Sequence, residues 1–134
     1  MENKIILNNY NYILKEFKIK KKKEDTLKLI FEIFGTAEGD MQYELQRAYF
    51  YFIDEFDTQC KSVKDLVGKT INLKDPDAGI LCVVEHESIV KSKIEFLSYS
   101  DGYLTIRWTG LANVYWDENF KNNLPFEIVG SAKI

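Results

Sequence analysis

The chain's single histidine, His86, stands between Glu85 and Glu87, and imidazole and carboxylates are adjacent in sequence nowhere else in the chain. An imidazole that titrates near neutrality beside carboxylates can serve as a general base. On an extended strand, however, successive side chains alternate, so Glu85 and Glu87 share the face opposite His86 and cannot both orient its ring. The sequence is therefore read as carrying a partly exposed histidine at a strand end. Asp75 and Asp77 flank Pro76 and offer oxygen ligands, but the D-x-D-x-D-G pattern of a calcium loop is missing and the stretch reads as a turn. Asp54, Glu55 and Asp57, and again Asp117 and Glu118, are acidic clusters; two carboxylates on such loops could act in glycoside hydrolysis, a chemistry that depends on a spatial separation no sequence spacing reports. Cys82 lies in the apolar run Ile80 to Val84, where a thiol is expected to pack rather than react. Cys60 is the only other cysteine; there is no C-x-x-C, G-x-S-x-G, P-loop or G-x-G-x-x-G. No catalytic, cofactor-binding or metal-ligating residue is assigned.

What remains is a surface. Tyr103, Arg107, Tyr115, Trp116, Asp117 and Glu118 fall on or near strand faces expected to be exposed. Tyr, Trp and Arg are the residues that anchor protein interfaces beside a polar rim. These six are the candidate partner-binding residues.

The totals narrow the class of protein. A length of 134 residues suggests one domain, residues 1–134, able to bury about two thirds of its unfolded surface. With 46% hydrophobic and 29% charged residues the chain is not disordered. Aromatic residues at 14% favour strands. A net charge of −3 gives no general attraction to nucleic acid. The lysines between Lys18 and Lys23 read as a solvated hairpin end, guarded against edge pairing. No apolar run approaches the length of a membrane helix. Two cysteines and no leader-like start suggest a cytoplasmic protein with reduced thiols, binding neither membrane nor nucleic acid.

The elements that must position these residues are mostly strands. Asp101-Gly102 between Ile94–Tyr99 and Tyr103–Trp108 is a strong hairpin signal, since a type I′ turn needs positive φ at both central residues. An unbroken register would pair Ser100 with Tyr103, Tyr99 with Leu104, Leu97 with Ile106 and Glu95 with Trp108. It would send Leu97, Tyr99, Leu104, Ile106 and Trp108 to the core, leaving Phe96, Tyr103 and Arg107 on a partly wet face. Leu27 to Ile33 alternates cleanly, and with Ile80 to Val84, expected to be buried on both faces, it should cover the hairpin's apolar side. Tyr10 to Lys20 alternates more loosely, with Ile13, Phe17 and Ile19 on one side. Residues 41–56 suit either period, but the aromatic density of Arg47 to Ile53 favours a strand. Ser62 is a candidate cap for a short helix ending near Leu66. The expected fold is mainly β, an antiparallel sandwich or barrel-like meander with one or two short helices. The alternative is α+β with a helix at about 43–57.

In its whole-chain profile, small, acidic and rich in Asn, Lys, Ile and Tyr, and in stretches such as Leu111 to Phe126, the sequence resembles bacterial immunity proteins that neutralise toxins. The resemblance implies a non-enzymatic domain whose partner is a basic polypeptide, drawn in by an acidic surface. It rests on no motif, so no residue roles carry over. The alternative expectation is a β-barrel or sandwich holding a small apolar ligand. A third is a hydrolase using Glu85, His86 and Glu87.

Overall fold

The computed structural model describes residues 3–114 and 123–134. Among these residues ten strands run in the order β1 (Lys4–Leu7), β2 (Tyr10–Lys23), β3 (Leu27–Ala37), β4 (Arg47–Tyr51), β5 (Phe56–Asp57), β6 (Thr70–Lys74), β7 (Ile80–Cys82), β8 (His86–Ser100), β9 (Tyr103–Ala112) and β10 (Leu124–Lys133). Eight of them close an antiparallel barrel, β1-β2-β3-β4-β7-β8-β9-β10 and back to β1, while β5 pairs only with β3 and β6 only with β8. Of the two shapes the sequence allowed, it is the barrel. No α-helix occurs among the described residues; the 3₁₀ turn Val63–Leu66 stands where the short helix after Ser62 was expected, and a second, Tyr43–Leu45, precedes β4. The α+β alternative is thereby corrected: Arg47 to Tyr51 is strand, because its alternation places Ala48 and Phe50 in the core.

The barrel is filled by its own side chains. Trp108 is fully buried and touches four phenylalanine rings: Phe52 stacks on it at 4.7 Å, and Phe31, Phe50 and Phe126 meet it edge-on or tilted at 5.6–6.1 Å. Edge-to-face and offset stacks are the favourable aromatic geometries. Phe31 belongs to β3, so the expected cover of the hairpin's apolar side by that strand is found. Ile80 to Val84 covers less than expected: only Leu81 is fully buried, and Val84 is exposed beyond the end of β7.

The β8–β9 turn has the expected φ > 0 at Asp101 and Gly102, and Ser100↔Tyr103 and Tyr99↔Leu104 pair as expected. Beyond them the register shifts at a bulge between Phe96 and Ser98, so that Phe96 opposes Ile106 and Ile94 opposes Trp108. Phe96 and Ile94 are therefore in the core, and Leu97 and Tyr99 are only half-buried. A bulge adds one unpaired residue and exchanges faces beyond it, which reverses the expected assignment on β8 but leaves β9 intact. The irregularity between Leu14 and Glu16 does the same to β2: Phe17 and Ile19 pack on the core, whereas Ile13 is exposed.

Two strands of the wall are broken at one level. From Tyr51, opposite Glu32, to Phe56, opposite Leu29, the chain takes five steps where β3 takes three. From Lys74, opposite Lys91, to Ile80, opposite Ser88, it takes six where β8 takes three. The surplus residues leave the wall at Phe52–Glu55 and at Asp75–Gly79. Above the breaks β4 pairs with β7; below them β5 and β6 do not pair, and the wall parts. The segment joining β5 to β6 closes the floor, hydrogen-bonding to Leu27 through Thr58 and Cys60 and to Phe96 through Gly68 and Lys69, with Leu66 buried.

Candidate functional site

Where the wall parts there is a cleft of about 440 Å³, lined by Phe52 to Asp57 on one side and by Leu73, Pro76, Asp77, Gly79 and Ile80 on the other. Its floor is apolar, since Phe52 and Phe56 are buried core residues. Its rim is acidic, carrying Asp54, Glu55, Asp57 and Asp77, with the Lys22 ammonium 3.8 Å from Glu55. The carboxylates proposed from sequence at 54, 55, 57 and 77 thus come together across the two breaks.

Asp57 is tied down: its Oδ1 accepts hydrogen bonds from the Gln59 backbone N–H (2.8 Å) and the Thr26 hydroxyl (2.7 Å). These bonds, that from Gln59 first, hold its carboxyl below the ordinary aspartate value of about 3.9. A depressed folded-state value means that the bonds contribute fully above the unfolded value and are lost as pH falls through the folded one. Acidification below about pH 4 should therefore release the Gln59 amide, read as faster hydrogen exchange there, and Asp57→Asn should remove that pH dependence.

Above the cleft the outer wall is aromatic. Alternation along β4 sends Ala48, Phe50 and Phe52 inward and Tyr49, Tyr51 and Ile53 outward. Phe34 on β3 lies directly opposite Tyr49, with ring centroids 4.6 Å apart. Tyr51 opposes Ile80 on the other side, and its hydroxyl lies 2.7 Å from His86 Nδ1. Burial, and then the neighbouring Cys82, hold the Tyr51 phenol above its ordinary value, so it is protonated at neutral pH. A shallow groove of about 210 Å³ runs beside the strip, bordered by Glu16, Lys18, Glu32, Phe34, Tyr49 and Tyr51. Tyr49 and Ile53 are exposed, at 44% and 68%. The strip adjoins the cleft: Tyr51 lies directly opposite Ile80, and Ile53, two residues on, lines the cleft with it.

The residues nominated from sequence are distributed differently. Tyr103 is exposed at the turn end of β9. Arg107 is half-buried in a ladder of alternating charge: Lys93–Glu95, Glu95–Arg107, Arg107–Glu127 and Glu127–Lys4, at 3.3–3.9 Å across β8, β9, β10 and β1. Tyr115, Trp116, Asp117 and Glu118 lie outside the described residues. Exposed ion pairs of this kind contribute about 0–1 kcal/mol each. Arg107→Ala and Tyr103→Ala are accordingly expected to shift the denaturation midpoint by less than about 1 kcal/mol equivalent, measured by urea titration; a larger loss would place that face in the core.

At the other candidate, His86 is exposed and Glu87 is buried, each on its own face of β8, while Glu85 precedes the strand. Cys82 is half-buried; burial, then Glu87, pushes its thiol up, away from the reactive thiolate. Both cysteines are free thiols. The aromatic strip itself was not singled out from the sequence. Its signal was the alternation of Phe with Tyr in Ala48-Tyr49-Phe50-Tyr51-Phe52, hydroxylated rings on one face and plain rings on the other.

Compared with known proteins, the chain matches no family model, no curated protein and no solved structure.

Proposed function

We propose that this barrel is a non-enzymatic protein-binding domain, and that its partner docks on the strip Phe34–Tyr49–Tyr51 and reaches into the acidic cleft below. The observation that carries this reading is a strip of aromatic rings, Tyr49 exposed and Phe34 and Tyr51 half-buried, beside a carboxylate-rimmed concavity. Such a surface has the composition of an interface core, aromatic anchors beside a polar rim. A basic polypeptide is the complementary partner, because the cleft's carboxylates and the net charge of −3 attract cations and speed their encounter. An immunity protein that neutralises a basic toxin is the specific form of this reading, and a cytoplasmic location is part of it.

The alternative, a barrel for a small apolar ligand, draws less support, since Trp108 and its phenylalanines take up the middle of the barrel themselves. The test is affinity capture from cells that make the protein. A specific basic polypeptide should be retained at low salt and released at high salt. Native mass spectrometry of the same preparation should give the mass of the bare chain; recovery of a bound small molecule and no polypeptide would overturn the reading in favour of the alternative.

A further inference from the structure

On the far side of β6 from the acidic cleft, the outer wall carries a groove of about 550 Å³ of opposite sign. It is lined by Asn72, Leu73 and Lys74 of β6, Lys91, Ser92 and Lys93 of β8, and Thr109 and Gly110 of β9. The strand register sets Lys74 directly opposite Lys91 and Asn72 opposite Lys93. Residues directly opposite in an antiparallel pair have Cβ atoms about 5 Å apart, and like charges there are destabilising. No carboxylate among the described residues lies within 4.0 Å of the Lys74 or Lys91 ammonium, and of the three lysines only Lys93 has one, Glu95 at 3.3 Å. The contrast with the neighbouring ladder is sharp: from Lys93 through Glu95, Arg107 and Glu127 to Lys4, every charge meets its opposite.

Protection of a sheet edge accounts for a lysine on β6, which is an outer strand. It does not account for Lys91 and Lys93, because β8 at that level is flanked by β6 on one side and β9 on the other. The fold therefore sets Lys74 and Lys91, neither with a carboxylate within 4.0 Å among the described residues, directly opposite each other, with Lys93, an Asn amide and a Thr hydroxyl beside them. We propose that this groove is a binding site for the phosphoryl group of a small soluble molecule. The Lys74 and Lys91 ammonium groups, with Lys93 shared with Glu95 beside them, act as point charges with rotatable donors, which suits a tetrahedral dianion, whereas a planar carboxylate is better matched by the fork of an arginine. The groove is a local cationic site on a chain of net charge −3. An extended polyanion such as a bilayer or a nucleic acid meets the acidic remainder of the surface as well; a small anion held between Lys74 and Lys91 meets far less of it. The site is separate from the strip and cleft, so it stands or falls independently of the partner proposed there.

Inorganic pyrophosphate is the probe, titrated into the labelled protein and followed by amide chemical shifts. Saturable shifts centred on Asn72, Lys74, Lys91, Lys93 and Thr109 are expected, and the double variant K74Q/K91Q should weaken them by about tenfold or more. K74Q/K91Q is also expected to melt no lower than the wild type, because a repulsive pair has been removed; K93Q supplies a second variant with one charge fewer. As a control, K20Q/K21Q, at the lysine-rich hairpin end, should leave the titration unchanged. Non-saturating shifts spread equally over Lys18 to Lys23, or unaltered affinity in K74Q/K91Q, would overturn the site. Cosedimentation with phosphatidylcholine vesicles containing phosphatidic acid should be absent; capture by those vesicles through the same lysines would overturn the assignment to a soluble ligand.

Discussion

Trp108→Ala is expected to lower the unfolding free energy by about 3–5 kcal/mol, the range for removing a large aromatic side chain from a core. The magnitude follows from where the residue sits. Its indole is fully buried, stacked on Phe52 from the broken β4–β5 strand and met by Phe31, Phe50 and Phe126 from β3, β4 and β10. Truncation leaves those four rings without their common neighbour, and rings held on separate strands of a closed wall cannot collapse together into the space. For a domain whose whole stability is about 5–15 kcal/mol, such a loss brings the variant close to unfolding at ambient temperature. Trp108→Phe keeps most of the aromatic volume and should recover about half of the loss. Guanidinium titration followed by far-ultraviolet circular dichroism measures both. A loss of under about 1 kcal/mol in the alanine variant would show that the indole is peripheral and that the barrel's centre lies elsewhere.

The residues that could be placed from sequence are those whose signal is local. Asp101-Gly102 sets a turn by its own backbone preferences, and the two residue pairs nearest it follow directly. The strand from Leu27 to Ile33 alternates without interruption and lies in the structure as the alternation demands. What stayed hidden are events decided by the closure of the barrel. Bulges near Lys15 and Leu97 let long strands coil around a closed wall, and each one exchanges the faces beyond it. Leu97 and Phe96 are both large and apolar, so composition could not say which of them would turn inward.

The candidate site was hidden for a related reason. Its cleft exists because two strands far apart in sequence break at the same level of the wall. The acids at Asp54, Glu55 and Asp77 were visible as separate loop clusters, but what joins them is the β4–β7 pairing above the gap. The Arg107 face drew attention from sequence through residue type alone. In the structure its charges are spent on one another, whereas the carboxylates around the cleft have few cations to meet.

That difference makes the strip, and not the Arg107 ladder, the place where substitutions should weaken binding of the proposed partner most. Tyr49→Ala and Tyr51→Ala are each expected to weaken binding of the captured polypeptide by about 2 kcal/mol, roughly thirtyfold in Kd, the threshold of an interface hot spot. Both rings point out of the barrel, so neither change opens a cavity in the core, and unfolding free energies should stay within about 1 kcal/mol of the wild type. Because Tyr51 opposes Ile80 and Tyr49 packs on Phe34, the double variant should fall short of additivity if the two rings seat one partner side chain. The acids should act differently. Asp54→Asn with Glu55→Gln is expected to slow association and flatten its dependence on salt while changing the dissociation rate less, since rim charges govern encounter. Surface plasmon resonance at two ionic strengths separates these effects. Tyrosine variants that fold normally and bind as the wild type would remove the strip from the interface, whatever the acids do.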